Sequence, residues 1–371
     1  MPRDKPPFRA DHVGSLLRPP ELLDAREKHA AGQIGDEELK AVEDDAIRDV
    51  VRMQEEVGLQ SATDGEFRRA SWHMDFIYSL DGISKVEGDI VVKFHNPEGD
   101  IEYRPAALKI DSKLGVSEPI FGEHFRFLQQ TVDNAVPKLT IPSPSMVHYR
   151  GGAAAVDPEV YPDMDEFWSD LTAAYREQVR LVAELGCTYL QFDDTSLAYL
   201  NDPKQREMMK ERGEDAEHLH EAYTRHINEA LQDRPEGLTV TTHMCRGNFR
   251  SSWAAEGGYD FVAEALFGNL GVDGFFLEYD DARSGGFEPL RFVPDDKLVV
   301  LGLVTTKRGE LESKDVLKRR IEEASKFVDV DRLCLSPQCG FSSTVEGNLL
   351  SYEQEVEKLR RIVEVAQEVW G

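Results

Sequence analysis

His243 and Cys245 are separated by one residue at the end of LTVTTHMC, Glu278 lies near the end of GFFLEYD, and Cys339 closes RLCLSPQC. Two positions apart on an extended strand, His243 and Cys245 project to the same side and can grip one ion together. An imidazole, a carboxylate and two thiols form a donor set that suits zinc in a tetrahedral shell. The plain alternative is a chance His-x-Cys with Cys339 an ordinary buried thiol; four donors at the ends of apolar runs favour the metal. Two thiolates and a carboxylate outweigh the charge of Zn²⁺, so the centre would be anionic and a poor Lewis acid for carbonyls. It could still take the proton from an incoming thiol and keep the thiolate electron-rich, with Glu278 the most replaceable ligand. That chemistry is attack on a carbon electrophile.

Such residues need elements that deliver them to one place. Short β-branched or apolar runs ending in Gly, Asp, Ser or Pro occur at 8–15, 59–65, 138–145, 188–194, 238–245, 274–280, 297–306 and 332–339. Amphipathic helical segments lie between most of them, at 36–58, 163–186, around 215–232, 259–271 and 313–328. Gly58, Gly186 and Gly271 stand where helices must stop. Strand-helix alternation repeated eight times predicts an α/β fold, a (β/α)8 TIM barrel, with a doubly wound open sheet as runner-up. Two alternating runs flanking HNPEGD predict a β-hairpin inserted after the second strand, within about 76–137. No repeat or Pro/Gly/Ser-rich linker divides the chain, so 1–371 reads as a single domain.

Polar groups gather at the C-terminal ends of these strands: His12 and Ser15, Asp64 and Glu66, Ser143 and Ser145, Asp193 and Asp194, and Lys307 beside the four possible ligands. Barrel enzymes build their sites on that face. Cys187 and Cys334 fall at strand starts and are expected in the core.

Composition narrows the partners. Seventy acidic against forty-three basic residues give a net charge of -27, which repels phosphate backbones and anionic lipid, so nucleic acid and membrane partners are disfavoured. The first residues lack the apolar stretch of a signal peptide, no run of 18 apolar residues occurs, and a cytoplasmic location is expected. Four scattered cysteines do not make a disulfide framework.

The motifs HVGSLLRP (12–19), TDGEFRR (63–69), LQFDDTSL (190–197), THMCRGN (242–248), FFLEYDD (275–281) and LSPQCGF (335–341) resemble the C-terminal catalytic barrel of cobalamin-independent methionine synthases. The short single-barrel bacterial and archaeal relatives are closer still. The spacings of 33 (278 minus 245) and 61 (339 minus 278) are part of the resemblance, which spans essentially the whole chain. It implies that His243, Cys245, Glu278 and Cys339 hold Zn²⁺, and that Val13, Gly14, Ser15, Glu66 and Asp193 hold the backbone of homocysteine. The implied reaction is methyl transfer to the homocysteine thiol, from methyltetrahydrofolate or a methylcorrinoid, the latter on a corrinoid protein. Glu66 and Asp193 could pair with an ammonium, and Ser15 with its amide could receive a carboxylate.

The departures concern the methyl donor. The long enzymes carry a second barrel and, after the seventh strand, a proton-donating histidine; this chain has Lys307 there. Their tryptophan-bearing folate segment has no counterpart around 140–152. Lys307 and Asp194 are the candidate catalytic residues, Asp194 with the alternative of a brace. Alkylation of another thiol, as in epoxyalkane:coenzyme M transferase, is a rival, with Lys307, Arg246 and Arg308 near the mouth for a sulfonate. A zinc storage or sensor protein is the non-enzymatic rival. HLHEAYTRH (218–226) lacks the second histidine of a zincin and reads as an exposed helix face.

Overall fold

LVVLGLV at 298–304 is apolar at every position, the signature of a strand buried on both faces, and it lies well inside a parallel sheet. The computed structural model describes residues 3–86, 92–96, 99–103 and 107–371. Its strands are β1 (Ser61–Ala62), β2 (Asp81–Val86), β3 (Val92–Asn96), β4 (Gly99–Tyr103), β5 (Ala107–Gly115), β6 (Val136–Pro142), β7 (Tyr189–Asp193), β8 (Thr239–Met244), β9 (Gly274–Glu278), β10 (Leu298–Val304) and β11 (Leu333–Pro337). Seven of these form one parallel sheet in the order β1-β6-β7-β8-β9-β10-β11.

The segment before β1 serves both edges of this sheet. Ala10 bridges Leu335 in parallel fashion, with Asp11 N–H donating to Leu335 O at 3.0 Å and Leu335 N–H to Arg9 O at 2.9 Å. Toward the other edge, Ser61 Oγ donates to Asp11 Oδ1 at 2.9 Å and Leu16 N–H to Gly65 O at 3.1 Å. The expected strands at 8–15 and 59–65 therefore shrink to a bridge and two residues. Gly14 (φ 144°) and Gly65 (φ 67°) turn the chain out of the ladder, and side chains replace it: Thr63 Oγ1 donates to Gly14 O at 2.6 Å.

The two faces of the sheet pack differently. Phe275, Leu277, Val299, Leu301, Leu333 and Leu335 join the main core, while their alternating neighbours Phe276, Val300 and Cys334 form a small separate cluster with Val13. Phe276 and Cys334 both pair with Val300 across the ladder, so these three point to one side, the concave one. Lys138 and Asp11 lie buried there with Nζ 3.4 Å from Oδ1; Nζ sits over the Tyr189 and Phe276 rings, and the Tyr189 hydroxyl donates to Asp11 Oδ2 at 2.8 Å.

The α-helices are α1 (Pro20–Ala30), α2 (Asp36–Glu56), α3 (Met74–Ile77), α4 (Gly122–Thr131), α5 (Pro144–Gly151), α6 (Met164–Glu184), α7 (Ser196–Tyr199), α8 (Pro203–Glu211), α9 (Leu219–Ala230), α10 (Ala263–Asn269), α11 (Lys314–Ala324) and α12 (Tyr352–Trp370). The Asp163 carboxylate caps α6 through the Asp165 amide, and Ser351 with Gln354 forms a capping box on α12. Gly58 (φ 95°) and Gly186 (φ 91°) adopt the left-handed conformation that ends α2 and α6. The region 76–137 holds two antiparallel pairs, β2 with β5 and β3 with β4, and then α4, so its last part is helical. His220 and His226 correct the expectation of an exposed face on α9: both are buried, His220 against Phe261 and His226 stacked on Trp168 at 4.1 Å. No described helix is long and apolar enough to cross a membrane.

Candidate active site and metal group

β7, β8 and β9 are in register such that Asp193 lies beside His243 and His243 beside Phe276, which puts the aspartate and the imidazole on the concave side. Cys245 follows β8 by one residue, and Cys339 follows β11 by two. The side chains of His243, Cys245 and Cys339 converge: all three are buried, and one potential ligand atom from each lies within 4.8 Å of the others. The two sulfurs are 3.4 Å apart. The hydrogen bond with Cys245 and then the His243 ring hold the Cys339 thiol well below the usual thiol range. Both ring nitrogens of His243 are buried without a hydrogen-bond partner, the state of an imidazole shaped to ligate rather than to hydrogen-bond.

Glu278 stands outside this three-residue group. Its Oε1 accepts from Arg283 at 2.7 Å and from Lys307 Nζ at 3.1 Å, and its Oε2 accepts from the Arg246 amide at 2.7 Å. Burial alone would raise this carboxyl; Lys307, Arg283 and Arg246 together hold it well below the carboxylate range. Lys307 also meets Asp280 Oδ2 at 3.0 Å. The Arg246 guanidinium is wholly buried on the Gly257, Glu278 and Ser284 carbonyls. Two of the three cations that could have met a sulfonate, Lys307 and Arg246, are thus committed to protein partners, while Arg308 is exposed.

The substrate-side candidates line one pocket with the metal group: Val13, Ser15, Glu66 and Asp193 share it with His243, Cys245 and Cys339. Glu66 Oε1 accepts from Thr140 Oγ1 at 2.8 Å and Asp193 Oδ1 from Gln191 Nε2 at 2.7 Å. Each anchor grips one oxygen, and no protein donor is recorded on the other among the described residues. Burial raises the Glu66 carboxyl, with Arg69 opposing; it pushes Asp193 up to about 7, with His243 opposing and the Glu66 charge adding. Two carboxylates that resist ionising side by side are relieved by an incoming cation. Glu66 itself is left-handed (φ 61°), a conformation costing a non-glycine residue about 1 kcal/mol, stored where the side chain must be aimed. Gly14 passes so close to β6 that a Cβ would stand 2.8 Å from Thr140 Cγ2.

Asp194 is engaged throughout. Its Oδ2 accepts from the Ser143 and Ser145 hydroxyls, its Oδ1 from Ser196 Oγ at 2.6 Å and the Leu197 amide at 3.1 Å. It ties the ends of β6 and β7 together, the geometry of a brace. Residues that strand-end reasoning did not find also line the pocket, among them Trp72, His73, Phe94, Arg150 and Phe249. They come from loops, α5 and strand β3, where no periodic pattern marks a side chain as inward-facing.

Residues 8–368 match the family model described as the catalytic domain of cobalamin-independent synthases. The chain belongs to the cobalamin-independent methionine synthase family. Within that family's wider circle it is 48% identical over 368 residues to the uncharacterized protein YxjH of Bacillus subtilis, covering 99% of this chain and 96% of that one. It is 23% identical to the methionine synthase of Pyrococcus abyssi, covering 96% and 92%. A solved structure from Listeria monocytogenes, provisionally named a vitamin-B12 independent methionine synthase, superposes with a TM-score of 0.80 at 39% identity and full coverage of both chains. A B12-independent methionine synthase from Shewanella sp. W3-18-1 shares the fold at TM-score 0.70 and 18% identity, covering 97% of each chain.

Proposed function

We propose that this chain is a zinc-dependent methyltransferase that converts homocysteine to methionine, working as one catalytic domain whose curled sheet and N-terminal segment close an eight-stranded (β/α)8 barrel. The inserted strands 81–115 then form a hairpin over its mouth, and a cytoplasmic setting suits the thiol chemistry. The observation that carries the reading is the meeting, in one pocket, of a buried thiol-imidazole group with two buried carboxylates, Glu66 and Asp193, each anchored through one oxygen.

His243, Cys245 and Cys339 fit zinc by donor chemistry and by the orphaned nitrogens of His243. Bound there, zinc would supply a site on which a substrate thiol loses its proton yet stays nucleophilic. Glu278 would complete the shell as the exchangeable ligand, and the hold of Arg283 and Lys307 on its Oε1 supports that role, since a carboxylate with other partners is easily released. Glu66 and Asp193 would bind the ammonium of homocysteine through their outward oxygens, and Val13, Gly14 and Ser15 its carboxylate. Asp194 and Lys307 would act by positioning: Asp194 through the ends of β6 and β7, Lys307 through Glu278. The methyl group would come from methyltetrahydrofolate or a methylcorrinoid. The test is direct. Purified protein should contain one zinc per chain and form methionine from homocysteine and a methyl donor; metal-free protein of full activity would overturn the reading.

A further inference from the structure

The pocket has an aromatic side that this reading leaves unused. Phe94 on β3 and Phe249 after β8 are buried with ring centroids 5.3 Å apart. Backbone bonds tie β3 to this place: His95 N–H donates to Trp253 O at 2.7 Å, and Trp253 N–H to His95 O at 3.0 Å. Tyr199 meets them at Gly247, two residues past Cys245, where an added Cβ would stand 2.5 Å from the Tyr199 hydroxyl oxygen and 3.2 Å from Phe94 Cε1. Gly247 is left-handed (φ 85°), so space and backbone together exclude a side chain there. Trp72 lines the pocket from the Cys339 side; its backbone N–H donates to Ser343 O at 3.3 Å, and Ser343 Oγ is 3.9 Å from Cys339 Sγ. Trp72, Phe94, Tyr199 and Phe249 thus share one pocket with the two thiols. The faces of such rings attract a cation clothed in methyl groups.

Arg150 sets a second demand. It lines the pocket from the last turn of α5, its Nε is buried without a partner, and no carboxylate lies within ion-pair distance of it among the described residues, in a chain with seventy acidic and forty-three basic side chains. Such a guanidinium pairs with an anion from outside and repels a bare cation. Its charge is felt at Tyr199 and at His73, which places it beside the aromatic side chains. Aromatic faces next to an unpaired guanidinium suit a zwitterion, with its methylated cation on the rings and its carboxylate on Arg150. The leaving step agrees. A tertiary amine must be protonated as it departs, whereas an onium centre leaves with the electron pair of the broken bond and needs no acid. On this side of the pocket burial, and then the Arg150 charge, keep His73 neutral, and burial pushes the Tyr199 phenol well above its usual range.

Resting on the homocysteine reading and adding a donor class to it, we infer that the pocket takes a methyl group from a compact onium carboxylate, a methylsulfonium or methylammonium zwitterion. Trp72, Phe94, Tyr199 and Phe249 hold its onium end and Arg150 its carboxylate, while Glu66, Asp193 and Ser15 hold the amino acid. In the step, the homocysteine thiol gives its proton to solvent, and a bond from its sulfur to the methyl carbon forms as the bond from that carbon to the onium atom breaks. The electron pair of the broken bond stays on the departing sulfur or nitrogen and cancels its positive charge. The products are methionine, one proton, and a thioether or tertiary amine that keeps the carboxylate.

The experiment supplies zinc-loaded protein and homocysteine with dimethylsulfonioacetate or glycine betaine, and follows methionine together with methylthioacetate or dimethylglycine. Turnover should occur, and the arm that gives it names the leaving atom. Calorimetry with the homocysteine-bound protein should find glycine betaine bound about 5–30-fold more tightly than 3,3-dimethylbutanoate, which has the same shape with carbon in place of the charged nitrogen; equal binding overturns the role of the rings. Arg150→Met should raise the KM for the zwitterionic donor at least about tenfold, the loss of a charge-assisted contact, and lower it for trimethylsulfonium, which has no carboxylate to lose and is freed from repulsion. A rise of equal size for both donors overturns the role of Arg150. Phe249→Leu should raise the KM for both by about 5–30-fold; if that variant fails to fold, the half-buried Trp72→Leu decides, and a wild-type KM there overturns the inference. Methionine formed from methyltetrahydrofolate or methylcobalamin but from neither onium carboxylate overturns this inference and leaves the proposed function standing. Methionine formed from none of the four overturns both.

Discussion

Glu355, in the first turns of α12, should make the protein less stable as the medium turns alkaline. Its carboxyl is fully buried; Oε1 accepts the Leu17 amide at 2.9 Å, and Oε2 has no partner. Burial, opposed only by that amide, pushes its pKa from 4.5 to about 8. Between those values the folded chain holds a proton that the unfolded chain has released, so stability is fully present at low pH and declines as pH rises toward 8, then levels off. A shift of this size corresponds to at most about 5 kcal/mol, at ~1.36 kcal/mol per pH unit. Glu355→Gln removes the titration but puts an amide nitrogen near an unpartnered position, a cost of about 1–3 kcal/mol that does not vary with pH. The urea-unfolding curves of wild type and variant, measured from pH 5 to pH 9, should therefore cross: wild type the more stable in acid, the variant in alkali. Parallel curves would show that the carboxyl is not held protonated, and the burial argument would fail.

Other substitutions test the site. Cys339→Ser should lose zinc by elemental analysis, since it removes one of three converging donors; retained stoichiometric zinc would refute the assignment. Asp193→Asn should raise the KM for homocysteine at least about thirtyfold, the ~2 kcal/mol or more lost when one partner of a buried charge pair is neutralised, with zinc still bound; a wild-type KM would remove the aspartate from substrate binding. Gly340→Ala would place a Cβ 1.9 Å from Ser15 Oγ and must displace that hydroxyl, so homocysteine binding should weaken while zinc stays; unchanged binding would argue that Ser15 does not touch the substrate.

The strand-end rule served where a side chain's direction follows from a parallel strand. His243, Cys245 and Cys339 meet because β8 and β11 end at the same face, and Glu66 and Asp193 join them for the same reason. Glu278 shows the limit: its place at the end of β9 was legible, but its partners Arg283 and Lys307 were not, because only folding brings those cations to it. His73 and Arg150 were invisible for a related reason. Their meaning depends on a pocket assembled from distant loops, and no local spacing encodes that. The two thin strands at the N-terminal side were overestimated because alternation was visible, whereas the left-handed glycines that interrupt the ladder act through backbone geometry. His220 and His226 were misjudged as exposed since a polar side chain gives no hint that Phe261 or Trp168 will cover it.

The buried trio Asp11, Lys138 and Tyr189 on the concave face has a consequence for inheritance. Replacing Lys138 alone strands a carboxylate without its cation, and replacing Asp11 alone strands an ammonium; either costs about 3–5 kcal/mol, a large share of what holds a domain folded. A lineage cannot drift through such an intermediate one step at a time unless another change rescues it. Asp11 and Lys138 should therefore be exchanged as a pair among descendants of this chain, or kept as a pair, even though neither lines the pocket in which the chemistry is done.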